Sequence, residues 1–324
     1  MVANLSTNDL IELLNDRGMI IDDVNAEQQL KNIGYYKIKE YAEPFIRDGE
    51  YGGLLFSSIV RRYYHDKNLR MHLLDMIEII ELAFKNRISY ELGSLGAFNY
   101  LNFLSWADTN IFSDEYIINQ QTFIKKQLLT MISKENKKEY KRTENFTKIG
   151  YKYNKNSKKG TEYPSIWLAV ELLSFGQIQH LFEIMTPQMK LSISKDFGCT
   201  PKMLESWIGT IVFARNQCAH NSNLVDVKLR TVPKIRYNWK DVIVNISTDE
   251  GKTLYSNRVS SIILPIVELV NKIDPNYGFG NLASDLKNIS NKVRKDGQNL
   301  SNMIGFKSKR KMMKFLLEYR NYEQ

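Results

Sequence analysis

Two residue types that together cut phosphodiesters stand five positions apart in this sequence. The segment Arg215-Asn216-Gln217-Cys218-Ala219-His220 places a histidine after an arginine with four residues between them, and the chain has only 4 histidines. An imidazole titrates near neutral pH, so it accepts and returns protons. A guanidinium stays charged and binds a phosphate through two parallel hydrogen bonds. This pairing suits RNA cleavage without a metal ion, in which a 2′-hydroxyl attacks the neighbouring phosphate and charge builds on phosphorus.

The spacing restricts how these two side chains meet. Residues five apart on an α-helix lie about 140° apart around its axis. Arg215 and His220 therefore share a face only if the helix unwinds after Arg215, or they form a composite site where two copies of the chain face each other. We expect the second arrangement, a homodimer through this helix, with Asn216 orienting either the backbone or His220. A simpler interpretation stays open, in which both cations only cap a helix C-terminus.

A second polar group, His65, Asp66 and Arg70, opens a long predicted helix. Arg70 follows Asp66 by four residues, which is the spacing of an ion pair along one helix face. We predict that the three residues form a supporting polar network, and we favour this structural role over a catalytic one. No Asp, Glu, His or Cys cluster in the sequence has the spacing of a metal site, so we predict neither a metal nor another cofactor.

Composition excludes several classes of protein. The chain has 324 residues, of which 43% are hydrophobic and 25% charged, and this length allows about two domains. The 2 cysteines cannot build a disulfide framework or a four-thiolate zinc site. No apolar stretch approaches the ~20 residues of a membrane span. Acidic residues interrupt 1–17, where a signal peptide needs an apolar core. We expect a cytoplasmic protein that does not bind membranes.

The net charge of +9 is concentrated in two segments. Residues 134–159 contain 10 basic and 3 acidic residues, and residues 287–311 contain 8 and 1. A basic surface attracts polyanions such as RNA. The first segment belongs to a stretch without apolar periodicity, 134–161, which we interpret as an exposed basic insert. By composition alone it is equally a solvated loop. Its candidate RNA-binding residues are Lys137, Lys138, Lys141, Arg142, Lys158 and Lys159.

Apolar residues recur mostly at helical spacing. We predict an all-α fold, mainly a helical bundle, with a small β-hairpin possible only near 229–256. The predicted division is an N-terminal helical segment, 1–54; a helical domain with the basic insert, 55–228; and a mixed or helical C-terminal segment, 229–324.

Aromatic residues along these helices are expected to pack. We place Trp167 and Trp207 in the core. We favour core or interface packing over base stacking for Tyr35, Tyr36 and Tyr41, and we expect Cys218 to be a small buried residue.

Four sequence blocks stand in a characteristic order. They are Ile33-Gly34-Tyr35-Tyr36 with Tyr41 and Pro44-Phe45; Tyr64 through Arg70; Trp167 through Gly176; and Arg215 through Asn221. In this order they resemble the abortive-infection (Abi-type, AbiD/AbiF-like) bacterial defence proteins, whose catalytic unit is a HEPN ribonuclease domain. The resemblance implies a HEPN-like helical bundle with Arg215, Asn216 and His220 as catalytic residues. The long insert, and His65 where the family often has an aromatic residue, depart from the family pattern.

The resemblance also implies a function. It points to a metal-independent endoribonuclease toxin of phage defence, with RNA as substrate and, as in AbiF-like members, a partner non-coding RNA. The alternative is a catalytically inert RNA-binding or scaffold protein with a HEPN fold. The intact set of Arg215, Asn216 and His220 separates the two, because an inert relative has no chemical need for it. A role in nucleotidyl transfer has no direct support in the sequence.

We predict that the basic insert binds RNA backbone rather than bases. Replacing the six candidate residues of the insert by Gln removes six phosphate partners. The slope of log K against log salt should become shallower by up to ~0.7 per lost contact on single strands. Affinity should fall by similar factors for RNAs of unrelated sequence, since backbone contacts carry no sequence information. An unchanged slope would show that the insert is only a solvated loop, and RNA binding would pass to 287–311.

Overall fold

The computed structural model describes residues 5–139, 163–248, 250–291 and 300–317. Within these ranges the chain is mainly α-helical with one small two-stranded sheet. The helices are α1 (Thr7–Asp16), α2 (Ala26–Ile33), α3 (Tyr35–Ala42), α4 (Phe56–Gly93), α5 (Asp114–Glu139), α6 (Ile166–Leu172), α7 (Phe175–Ile184), α8 (Pro187–Asp196), α9 (Pro201–Ala219), α10 (Ser260–Ile273), α11 (Gly280–Ile289), α12 (Leu300–Met303) and α13 (Lys309–Leu317). None of the helices in these ranges is long and apolar enough to cross a bilayer.

The predicted all-α fold with a small hairpin is confirmed. Strands β1 (Asn245–Ser247) and β2 (Thr253–Tyr255) pair antiparallel, with Ile246 opposite Leu254. The turn between them contains Gly251 at φ +73°, a left-handed conformation that glycine adopts without steric cost. The domain limits predicted from the sequence stay a prediction.

One compact unit of the chain consists of Met1–Ile77 and Phe213–Gln324. Its most buried element is α10, in which every residue from Ser260 to Val270 is buried. A helix that is apolar on all sides belongs in a core. The carboxylate within it, Glu268, is paired with Arg236 at 2.6 Å and accepts a hydrogen bond from Trp239 Nε1 at 3.0 Å. The buried charge is thereby compensated.

The second unit is Glu78–Val212, and aromatic rings form the centre of its core. The ring of Phe84 meets Phe175, Phe182 and Phe197 edge-to-face, with centroids 6.2, 5.3 and 6.0 Å apart. Such pairs add to the free energy of burial because ring edges and faces carry opposite partial charges.

The two tryptophans predicted in the core differ. Trp207 is fully buried, as predicted, whereas Trp167 is 48% exposed, so the prediction for Trp167 is wrong. Ile166, Ala169 and Val170 occupy the inner face of the short helix α6, which leaves Trp167 outside. Its ring lies against Gly93 at the end of α4, where an added Cβ would be 2.9 Å from the ring.

Helix α5 is longer than its apolar periodicity predicts. We expected the basic insert to begin as a loop at Lys134, but α5 continues to Glu139. The loop prediction is therefore wrong for residues 134–139. Lysine and glutamate have favourable helix propensity, so a polar helix end needs no apolar stripe. The remainder of the insert, residues 140–161, lies outside the described residues.

Helix α9 carries the Arg-x4-His segment, and its start is capped by residues whose types favour this position. Pro201 occupies the first helical position, and the Thr200 hydroxyl accepts a hydrogen bond from the Met203 N–H at 3.3 Å. Helices α4 and α9 each begin in one unit and end in the other. The motif itself, from Arg215 onward, belongs to the first unit.

Candidate active site at the end of helix α9

The Arg-x4-His segment lies in unbroken helix. Helix α9 runs to Ala219, and the His220 N–H still donates to the Asn216 carbonyl at 3.0 Å. The helix therefore does not unwind after Arg215, and the separation of about 140° between Arg215 and His220 stands. Asn216 and His220, four residues apart, lie on one face within about 40° of each other.

Backbone hydrogen bonds close the end of the helix. The Ser222 N–H donates to the Gln217 carbonyl at 3.1 Å, and the Asn221 N–H donates to the Cys218 carbonyl at 3.4 Å. Asn221 has φ 56°, the left-handed conformation that this termination requires and that asparagine tolerates. Backbone hydrogen bonds thus cap the C-terminus of α9. Capping was the structural role that we considered as the alternative for Arg215 and His220.

Arg215, Asn216 and His220 are all exposed. In the part of the chain that the structure describes, their side chains have no hydrogen bond or ion pair within the molecule. Cys218, between them in sequence, is buried as predicted, and burial raises the pKa of its thiol to about 12. A thiol in this state is not a nucleophile at neutral pH. The chemistry available here therefore comes from the guanidinium, the amide and the imidazole.

The segment that follows α9 is bound to one face of α4 at three consecutive helical turns. Arg62, Asp66 and Arg70 are spaced four residues apart and lie on one stripe of α4. Arg70 Nη1 donates to the Asn221 side chain, and the Asp66 carboxylate accepts from the backbone of residues 224–225. Arg62 pairs with Asp226 at 2.5 Å. We call these contacts the α4 stripe.

Asp66 is the centre of the α4 stripe and is fully buried. One carboxylate oxygen accepts from the Leu224 and Val225 N–H groups at 3.1 and 2.8 Å. The other accepts from the Tyr41 hydroxyl of α3 and lies 3.0 Å from Arg70 Nε. Burial raises the pKa of Asp66 above its ordinary value, and the hydrogen bonds and the Arg70 charge oppose that rise. The predicted Asp66–Arg70 ion pair is confirmed.

In the part of the chain that the structure describes, no hydrogen bond or ion pair joins His65 to Asp66 or Arg70, so the predicted inclusion of His65 in this network is wrong. Burial lowers the pKa of His65 below its ordinary value, and the negative charge of Asp285 on α11 partly opposes this shift. Asp285 instead bonds directly to Nδ1 of His72. Positions 65 and 72 lie on one face of α4 because seven residues make nearly two turns. His65 faces away from Asp66 because neighbouring helix residues are about 100° apart.

An open groove of about 710 Å³ lies beside the segment after α9. Asn223 and Asp226 line it, and Asn223 is at most ~11 Å along the chain from His220. Its cations are Lys39, Lys228 and Arg258. The acidic lining residues are Glu40, Glu43 and Asp226; Glu40 is paired with Lys37, and Asp226 with Arg62. When the partners Lys37 and Arg62 are counted with the lining residues, five cations accompany three carboxylates, so the charge balance at the groove is positive.

The three tyrosines of α3 differ in how deeply they are buried. Tyr41 is fully buried, which confirms core packing for that residue. Tyr36 lines the groove and is 80% exposed, so it does not belong to the core. Tyr35 is half-buried and meets the Tyr36 ring edge-on at 5.4 Å. An exposed ring beside cations is the arrangement on which nucleic-acid bases stack.

The six predicted RNA-binding residues of the basic insert cannot be placed in the site. Lys137 and Lys138 belong to α5, but the structure does not describe their side chains. The other four residues, Lys141, Arg142, Lys158 and Lys159, lie outside the described residues. Among the described residues, no group of three or more His, Cys, Asp or Glu side chains has the geometry to hold a metal ion.

A comparison with protein families identifies the relatives of this chain. Residues 28–226 match the family described as Abi-like protein. This chain belongs to the Abi-like family. The matched range contains all four sequence blocks named above, the α4 stripe and the whole Arg-x4-His segment. No curated protein and no solved structure matches the chain. Abi-like membership indicates a role in abortive infection, which is a form of phage defence.

Sequence reasoning missed several residues of this Abi-like site. Arg62 repeats the four-residue spacing of Asp66 and Arg70, and that spacing was a usable signal. The sequence signal for His72 and Asp285 was weaker. It consisted of two of the 4 histidines, His65 and His72, standing seven residues apart on one helix. The partners of Arg62 and Arg70, Asp226 and Asn221, are more than 150 residues away in sequence, and no local pattern indicates them.

We predict that Asp66 is the most costly residue of the α4 stripe to remove. Asp66→Ala leaves the Arg70 charge and two backbone N–H groups buried without their acceptor, and it should lower the free energy of unfolding by roughly 3–5 kcal/mol. Tyr41→Phe removes one donor and should cost about 1.5–3 kcal/mol. Chemical denaturation measures both values.

The control is Asp196→Ala, which removes the exposed ion pair with Arg87 and should cost no more than ~1 kcal/mol. If Asp66→Ala and Tyr41→Phe cost no more than this control, the α4 stripe does not hold the end of α9.

Proposed function

We propose that this Abi-like protein is a metal-independent endoribonuclease of the HEPN type, acting as a toxin in phage defence. One observation carries the proposal. A guanidinium, an amide and an imidazole are exposed, without intramolecular partners in the described structure, at the end of a helix whose own backbone is firmly held. Charged side chains on a rigid support with nothing to bind inside the molecule are suited to binding a substrate.

In the proposed reaction His220 removes the proton from a ribose 2′-hydroxyl. The 2′-oxygen attacks the adjacent phosphorus, the bond from phosphorus to the 5′-oxygen breaks, and the leaving oxygen takes up a proton from water, to which the protonated imidazole returns its own proton. The products are a 2′,3′-cyclic phosphate and a 5′-hydroxyl. Arg215 donates to the phosphate oxygens, where negative charge increases in the transition state. Asn216, on the same face as His220, orients the imidazole or the scissile phosphate.

The helix geometry supports a composite site in a homodimer. Because α9 stays helical through this segment, the Arg215 and His220 of one copy face different directions. A second copy related by a twofold axis would bring its own Arg215 toward the first copy's His220. Isologous contacts of this kind are the commonest in homo-oligomers.

The groove lined by Tyr36 supports single-stranded RNA as substrate. It begins within a few residues of His220, has a positive balance and offers an exposed ring for stacking. The resemblance to AbiF-like proteins adds a partner non-coding RNA, which would occupy part of the basic surface when the enzyme is restrained or organised.

We predict that Arg215→Ala and His220→Ala each abolish cleavage and toxicity while the fold is retained. Loss of a general acid–base group costs about 10²–10⁴-fold in rate, and loss of one charge-stabilising donor costs about 10²–10³-fold. The measurement is RNA cleavage by purified protein together with growth on expression. Gln217→Ala, from the same helical turn, is the matched control and should retain activity.

Mixing the two inactive variants tests the composite site. If Arg215 and His220 act across the interface, a mixed dimer has one intact site, and an equal mixture should recover about a quarter of the activity. If the mixture recovers no activity, a site that combines Arg215 of one copy with His220 of the other is excluded. Undiminished toxicity in both folded single variants, together with no RNA cleavage by the wild-type protein, would instead support the inert RNA-binding alternative.

We predict that cleavage proceeds in EDTA and leaves 2′,3′-cyclic phosphate and 5′-hydroxyl ends. Histidine and arginine supply proton transfer and charge stabilisation directly, and attack by the 2′-oxygen dictates these termini. End-labelling and mass spectrometry of the products identify them. Inhibition by EDTA with rescue by Mg²⁺, or 5′-phosphate products, would contradict this mechanism.

A further inference from the structure

A second open groove, of about 790 Å³, follows one face of α5 in the unit Glu78–Val212. We call it the α5 groove. Its lining residues are Gln121, Thr122, Lys125, Lys126, Leu129, Thr130, Ser133, Lys134 and Tyr163. Those on α5 recur as pairs every four residues, so they form one continuous helical stripe. Apolar residues on another face of the same helix, including Ile124 and Leu128, are buried and fix its orientation.

The charge of the α5 groove is of one sign. Lys125, Lys126 and Lys134 contribute three ammonium groups, and none of the lining residues is acidic. In the described part of the chain these lysines have no ion pair. The hydroxyls of Thr122 and Thr130 donate to their own helix, at 2.8 and 2.9 Å, so the ammonium groups are the main donors for a ligand. An unneutralised lysine row attracts a polyanion.

The dimensions and the aromatic neighbour favour a nucleic-acid strand as that polyanion. From Lys125 to Lys134 the helix rises ~13 Å, which is long enough for several successive phosphates. Lys125 Nζ lies 5.9 Å from the centre of the Tyr163 ring, so a flat ring is held beside the cations. Lysine is depleted at protein–protein interfaces but binds phosphates readily. An acidic protein partner is therefore the less favoured occupant.

We infer that the α5 groove is a backbone-binding site for single-stranded RNA, separate from the catalytic side chains. This inference rests on the proposed function for the choice of RNA. It assigns RNA binding to Lys125 and Lys126, which precede the basic insert, and it places the contact in a different unit of the chain from Arg215 and His220. Because lysines contact phosphates as point charges, the site does not read sequence.

The test compares two charge-matched double variants in a His220→Ala background, so that the RNA stays intact. Lys125→Gln/Lys126→Gln removes two cations from the α5 groove. Lys195→Gln/Lys202→Gln removes two cations from exposed positions of the same unit. Lysine and glutamine have similar helix propensity, so neither change should disturb the fold. The readout is binding of a 20-nucleotide RNA without secondary structure, measured over a range of salt concentrations.

For the groove variant we expect a slope of log K against log salt that is shallower by ~1.4 than that of the parent. If the two proteins bind equally at about 1 M salt, this difference corresponds to about a 25-fold loss of affinity at 0.1 M salt. The control variant should keep the slope of the parent. Equal losses in both variants would overturn the inference, since general charge would then explain binding. Competition by polyglutamate as strong as competition by RNA of equal charge would also overturn it, in favour of an acidic protein.

This binding result does not depend on cleavage. If wild-type protein fails to cut RNA but the groove variant loses binding as described, the proposed enzyme is wrong and the binding site stands. If cleavage is observed but both variants bind alike, the enzyme stands and the inferred site is wrong.

Discussion

The buried carboxylate of Asp66 joins three separate elements of this protein, and the position of the candidate site depends on it. The carboxylate accepts from Tyr41 of α3, pairs with Arg70 of α4 and binds the backbone after α9. A buried charge that lacks these donors costs several kcal/mol, so the arrangement is favourable only when all of them are in place together. Packing by apolar contact alone tolerates small shifts of a helix, but hydrogen bonds to one carboxylate do not. The end of α9 is therefore held at a defined place on α4.

Firm support of the backbone contrasts with the state of the side chains it presents. Arg215 and His220 are exposed, and the Schellman-type turn at Asn221 ends the helix without using them. An arginine that served only to stabilise the fold would normally find a carboxylate or a carbonyl. The unbroken helix also keeps the two residues on different faces, so a single copy does not place both against one phosphate. Together these facts favour a site completed by a second copy.

Local sequence pattern was enough to predict the all-α fold, the small hairpin and the Asp66–Arg70 pair. Each of these depends on residues within a few positions of one another. Pattern failed where the deciding contact is distant or polar. Trp167 looked like a core residue, but the inner face of α6 was already filled. The helical end of α5 has no apolar stripe to reveal it. Arg62 and Arg70 find Asp226 and Asn221 only through the fold, and the roles of Arg215, Asn216 and His220 still rest on chemistry and family resemblance.

Two kinds of positive charge in this chain do different work in the proposed enzyme. Lysines along the α5 groove increase affinity for any phosphate backbone equally before and in the transition state, and uniform binding of this kind does not raise the rate of the chemical step. In the proposed mechanism Arg215 and His220 act where charge and protons move, so their contribution would appear only as the reaction proceeds. Discrimination between RNA and DNA therefore cannot come from the lysines, because they contact the phosphates of both alike. It resides at His220, because only RNA carries the 2′-hydroxyl from which that imidazole can take a proton.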